Sequence, residues 1–220
     1  MALRFKFRLK GISPLIMHAD DVMKADALSA WRQDPDNKKN SKAGDDRFPA
    51  WSWQTYCYTD DSPDQLVSVP CDNLSRALVL AGTQITLKKQ KTMKEVASCG
   101  LFMNQMYMPV ITPAGTVKVS DLEKIRELTF AEQSQAVQQH GFSLFVKRAA
   151  VGQSKHVRVR PRFKDWTLEG EIEVTVKEIQ AEHLHQMFDI AGIYKGLCDW
   201  RPGGKTPGQF GRFTTELIAI

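Results

Sequence analysis

Polar and apolar residues alternate strictly in two stretches of the chain. Residues 3–10, LRFKFRLK, place Leu3, Phe5, Phe7 and Leu9 on one face and Arg4, Lys6, Arg8 and Lys10 on the other. Residues 169–177, EGEIEVTVK, place Glu169, Glu171 and Glu173 on one face and Ile172, Val174 and Val176 on the other. A period of two predicts half-buried strands. Set side by side, these strands would oppose acids to bases as cross-strand pairs. That sheet face would then be neutralised rather than a binding platform.

Other segments carry helical spacing. Asp20 to Trp31 has Val22, Ala25 and Leu28 roughly on one side. Asp72 caps a predicted helix that runs to about Leu80 and ends at Gly82, with Leu74, Ala77 and Leu78 as its buried stripe. Residues 121–139 read as helix broken near Thr129, capped by Ser120 or Asp121. Residues 181–192 form the last predicted helix, with Leu184, Met187, Phe188 and Ala191 as its apolar face. Short strands are expected at 66–70 and 105–112, and a final one at 214–220. Between the first helix and the aromatic run at 48–58, residues 34–47 have no periodic apolar face. They read as a mobile or thumb-like loop with solvated charges.

Composition narrows the class only a little. With 220 residues and 42% hydrophobic content, one large domain with a real core is expected. A net charge of +5 favours an acidic partner mildly, so the distribution of charge matters more. Cys57, Cys71, Cys99 and Cys198 form no close pair, as expected of reduced thiols in the cytoplasm. No apolar run is long enough to span a bilayer. The chain has no P-loop, GxSxG or HExxH motif. His183 and His185, two apart on a helix, diverge, so no zinc site, metal or cofactor is expected.

Three segments carry unbalanced positive charge. Lys88, Lys89, Lys91 and Lys94 have no acid among them. The stretch 147–164 holds Lys147, Arg148, Lys155, Arg158, Arg160, Arg162 and Lys164, and also no acid. Its alternating arginines would line one strand face and track phosphates, with no acidic strand left to neutralise them. The third is AGIYKGLCDWRPGGKTPGQFGRF at 191–213. Its glycines permit close approach of backbone to a ligand. Arg201, Lys205 and Arg212 supply cations, while Trp200 and Phe210 supply flat faces for bases. The same loop also reads as an ordinary helix–strand connection with Trp200 and Phe213 in the core. His18, Asp20 and Asp21 are the only candidates for chemistry; they read more simply as a turn and a helix cap.

The order strand–helix–strand, strand–helix–strand predicts an α+β fold, a ferredoxin-like or RRM-like antiparallel sheet with helices on one face. It would be a single domain, 1–220, with insertions near 19–65 and 113–140. The first strand followed by GISPLIMH resembles the start of RAMP-superfamily proteins, which include CRISPR subunits that coat guide RNA. VPCDNLSRAL and the closing glycine-rich loop are similar to further features of that superfamily. The resemblance implies a modified RRM fold, binding of single-stranded RNA or DNA, and side-by-side polymerisation or association with other subunits. It places the chain in a CRISPR-type, phage or mobile-element setting. Two alternatives stand beside it: a RAMP-like endoribonuclease using His18 or Asp20 and Asp21, and a protein-binding structural or inhibitory module.

Overall fold

The computed structural model describes residues 3–38, 44–88, 91–151 and 154–220. The alternating first stretch forms the strand Leu3–Gly11, and the acidic stretch forms Thr167–Val174. They pair antiparallel in the expected register, Arg4 opposite Glu173, Lys6 opposite Glu171 and Arg8 opposite Glu169. Each pair closes an ion bridge, at 3.3, 3.8 and 3.3 Å respectively. The opposite faces of the same strands bury Phe5, Phe7, Leu9, Leu168, Ile172 and Val174.

The final strand, Phe213–Ala219, pairs antiparallel with the other side of the first strand. The short strand Leu101–Met103 pairs antiparallel with the acidic strand. Among the described residues the sheet therefore runs final, first, acidic and 101–103, with the two short strands Ile111–Thr112 and Gly115–Thr116 extending it beside Thr167. The helices Cys71–Gly82 and Ala181–Ile190 supply Leu74, Leu78, Leu184, Met187 and Phe188 to one core with that apolar face. Phe188 meets Phe7 at 5.8 Å between ring centres. The protein is thus α+β with antiparallel sheets.

A second sheet stands apart from the first. The basic stretch folds as a hairpin, Ser143–Val151 with Ser154–Phe163, and Leu15–Ile16 adds to its second strand. The segment after the first strand thereby stitches the two sheets together.

Several expectations need correction. The helix at 20–31 is Val22–Gln33, and of its predicted apolar side only Leu28 is buried; Val22 and Ala25 are exposed. Pro70, not Asp72, caps the Cys71–Gly82 helix, and Asp72 sits in its first turn. The 121–139 segment does break at Thr129, where Thr129 and Glu132 form a capping box. Its first piece is Val119–Glu123, capped at Lys118 rather than at Ser120 or Asp121. The 34–47 stretch is not simply solvated, since Asp45 and Asp46 are buried. Residues 39–43 of it lie outside the described residues. Both insertions are fastened to each other at Trp53, whose indole N–H donates to buried Gln133 at 2.7 Å.

Candidate nucleic-acid interface

The hairpin's alternation sorts its side chains onto two faces. Arg158 lies opposite Lys147, Arg160 opposite Phe145, and Arg162 opposite Ser143, so all six share one face. The outer part of that face meets the glycine-rich loop. Trp200 packs edge-on against Phe145 at 5.8 Å, and Phe210 packs on the same ring at 5.6 Å. The Lys147 ammonium sits 4.4 Å from the Trp200 ring centre, and the Arg162 guanidinium 5.4 Å from that of Phe145. These are the distances at which a cation is held by an aromatic quadrupole. Phe145, Trp200 and Phe210 are each half-buried, and Lys147 is exposed. The loop and the hairpin therefore share one surface of aromatic rings and cations.

The loop is tightly built. Leu197 N–H donates to the Gly211 carbonyl, Phe210 N–H to that of Trp200, Asp199 N–H to that of Ile16, and Gly211 N–H to that of Pro14. A Cβ at Gly211, whose φ is +68°, would stand 2.0 Å from the Leu197 carbonyl oxygen. Only glycine fits there. Trp200 itself holds φ +48°, a conformation that a bulky side chain adopts at a cost. Arg201 donates to the Cys198 carbonyl and Arg212 to that of Ile193, while Lys205 is exposed. Phe213, by contrast, is a core residue.

The inner part of the arginine face is closed off. Asp46 is 1% exposed and accepts from Arg158 and Arg160, each at 3.1 Å. It also takes the Val159 N–H and the Tyr56 hydroxyl, and Arg32 stands 3.9 Å away. Ser52 donates to its carbonyl. Arg160 is 5% exposed, with its guanidinium stacked 3.7 Å from the Tyr56 ring centre. The expectation that no acid neutralises this strand is corrected: the insertion delivers one from far along the chain. Arg160 is unavailable to an external phosphate, and Arg158 is committed to Asp46. Arg162 remains half-exposed, bonded to the Ser143 hydroxyl. Lys147, Arg148 and Lys155 are exposed and make no ion pair among the described residues.

Of the lysine cluster, Lys88 and Lys91 lie in a small hairpin, Thr86–Lys88 with Lys91–Thr92, that follows the Cys71–Gly82 helix, and Lys94 opens the helix Lys94–Gly100. Lys91 and Lys94 are exposed; Lys89 and the side chain of Lys88 lie outside the described residues.

His18 lies at the end of the stitching segment. Its Nδ1 is 3.7 Å from Asp199, its Nε2 is 3.4 Å from the Arg160 guanidinium, and its ring meets Tyr56 edge-on at 5.1 Å. Burial, and then the Arg160 charge, push the imidazole below its ordinary value of 6.5, while Asp199 opposes them. An open cleft of about 390 Å³ lies in front, lined by His18, Asp20, Arg32 and Tyr56 among others. Asp21 caps the Val22–Gln33 helix by accepting the Lys24 N–H. Among the described residues no three His, Cys, Asp or Glu side chains are grouped to hold a metal ion. Asp46, Tyr56, Phe145 and Asp199 are the members of this region that sequence patterning missed. No spacing rule joins residues a hundred positions apart. No helix of the described chain is long and apolar enough to cross a membrane. No family model matches the chain, and no curated protein matches its sequence.

Proposed function

We propose that the protein holds single-stranded nucleic acid across the surface shared by the hairpin and the glycine-rich loop. The observation that carries this reading is the aromatic cluster of Phe145, Trp200 and Phe210, set directly beside Lys147 and Arg162. Bases stack on half-exposed rings, and cations follow the backbone phosphates. Lys147, Arg162, Arg201, Lys205 and Arg212 form the proposed phosphate path; Arg148 and Lys155, expected to join it, lie on the opposite face of the hairpin. Lys91 and Lys94 extend it only if the strand continues past the helix layer. The neutralised face of the main sheet takes no part. The strand order final, first, acidic, 101–103 suits a ferredoxin-like core, and so supports the RAMP-like reading and a CRISPR-type or mobile-element role. The test is a titration of a labelled single-stranded oligonucleotide against the parent and Phe210→Ala. Loss of a stacked base weakens binding by about 1–3 kcal/mol. Equal affinity in both would remove the cluster from the interface.

A second reading rests on His18. Asp199 beside Nδ1 favours the tautomer with the proton there; Nε2 then accepts from Arg160 and acts as a base only once that bond opens, and lowered basicity keeps the ring neutral near pH 7. Arg160 supplies a fixed cation next to it. Such an arrangement suits abstraction of a ribose 2′-hydroxyl proton in RNA, without a metal. Incubating end-labelled RNA and its 2′-deoxy counterpart, each with and without chelator, decides it. Chelator-resistant cutting of RNA alone, lost in His18→Ala, is the expected result. Intact RNA at every pH would refute it.

A further inference from the structure

The final strand Phe213–Ala219 forms one border of the main sheet among the described residues. Two hydrogen bonds fix which of its backbone groups face outward. Ile220 N–H donates to the Arg4 carbonyl, and the Arg212 carbonyl accepts from Ile12 N–H. Both even positions face the first strand. Antiparallel alternation then turns Thr214, Glu216 and Ile218 inward and leaves the N–H and C=O of Thr215, Leu217 and Ala219 pointing away from the sheet.

Native edges are commonly guarded by lysine, proline or a bulge. This one, FTTELIA, has none of them, and its sole charge is Glu216. Its flank is apolar: Ile218 is 63% and Ile220 58% exposed. At the Phe213 end the edge is shut, because Gly192 lies so close that a Cβ there would be 2.2 Å from the Phe213 carbonyl oxygen. The open portion is therefore Thr215 to Ala219.

We infer that this edge pairs with the same edge of a second copy of the chain, antiparallel about a twofold axis, joining two sheets into one. The charges select both the occupant and the register. An axis at Glu216 would set like charges directly opposite, which is unfavourable. An axis at Thr215 would require the closed Phe213 end. An axis at Leu217 puts Leu217 opposite its own copy, Thr215 opposite Ala219, and Glu216 opposite Ile218 of the second copy. Across the joined sheet the charged row then reads Glu169, Arg8, Glu216, followed by Ile218, Lys6 and Glu171 of the second copy. No like charges adjoin in that row, and every outward backbone group from Thr215 to Ala219 gains a partner. The contact is isologous and closed, so it stops at a dimer.

The experiment is light scattering on nuclease-treated full chain, free of nucleic acid, over a dilution series. Its outcome is independent of whether the hairpin and loop bind nucleic acid. The parent should approach twice the chain mass of 24.9 kDa at high concentration and dissociate on dilution. Thr215→Pro removes an outward N–H while leaving the ladder to the first strand intact, and should run as a monomer. Ile218→Glu, at an exposed position beside Lys6, sets like charges opposite one another twice in this register; it should do the same, and it decides the matter if the proline variant does not fold. Circular dichroism melts of the variants should match the parent's. A parent that stays monomeric throughout, a ladder of species beyond the dimer, or a dimer that persists in folded Ile218→Glu would each overturn the inference.

Discussion

Replacing Asp46 by alanine should be among the most damaging single changes in the chain outside the apolar core. Its carboxylate is 1% exposed and is shared by Arg158 and Arg160 at 3.1 Å, with the Val159 N–H and the Tyr56 hydroxyl completing its shell. Arg160 is itself 5% exposed, and its buried Nε has no partner. Removing the acid strands that guanidinium without a counter-charge. Breaking a buried pair by deleting one member costs about 3–5 kcal/mol. Domains are stable by only ~5–15 kcal/mol, so a large share of the total is at stake. For a chain of this length each kcal/mol moves the melting temperature by roughly 2–4 °C, giving a fall of about 6–20 °C. Urea denaturation with far-UV dichroism reads the same quantity. Arg160→Met should recover much of the loss in the Asp46→Ala background, since the stranded charge is then gone. A loss below about 1 kcal/mol for Asp46→Ala, with no recovery in the double variant, would show that the arginines are satisfied without Asp46.

Three further outcomes follow from the same geometry. Arg4→Ala and Glu173→Ala should couple by only about 0.2–1 kcal/mol in a double-mutant cycle, because the pair is solvent-screened, and neither should alter oligonucleotide affinity; a binding loss in Arg4→Ala would return that sheet face to the interface. Gly211→Ala should destabilise the loop through its Cβ clash and positive φ, so that binding falls while the main-sheet signal in hydrogen exchange persists; unchanged binding would show that the loop's form is irrelevant. The His18 imidazole has a depressed basicity in the folded chain, so the unfolded chain binds more protons there. Its contribution to stability is therefore present above the ordinary value of 6.5 and is lost as pH falls through the folded value. The slope of stability against pH in that window should flatten in His18→Gln, and an unchanged slope would contradict the burial described here.

What sequence patterning could read was local and periodic. The charged strand pair was legible in full, since a period of two fixes the faces and complementary charges fix the neighbour. The Cys71–Gly82 and Ala181–Ile190 helices were legible through their apolar stripes, and the break near Thr129 was legible too, whereas the caps expected at Asp72 and at Ser120 or Asp121 fall at Pro70 and Lys118. The arginine strand was legible as a strand but not as an environment. Its neutralising acid lies 112 to 114 positions away, in a stretch whose composition resembles free loop. Burial of Asp46 depends on Tyr56, Ser52 and the hairpin closing around it, which no window of sequence displays. Phe145 was overlooked because a single aromatic in a strand carries no signal until the loop lands on it. The Val22–Gln33 helix shows the converse: three apolar residues at helical spacing, of which only Leu28 finds a core.

The central claim is tested most directly by the salt dependence of single-strand binding. Affinity of a labelled oligonucleotide should be measured across a salt series for the parent and for Lys147→Ala combined with Arg212→Ala. Lys147 stands over the Trp200 ring, Arg212 follows Phe210 by two residues with its guanidinium on the Ile193 carbonyl, and neither makes an ion pair among the described residues. The account predicts a steep loss of affinity with salt in the parent. In the double variant the slope should fall by about 1 for each phosphate contact removed, with the melting temperature nearly unchanged. A parent that fails to bind at low salt, or a double variant with the parent's affinity and slope, would contradict it.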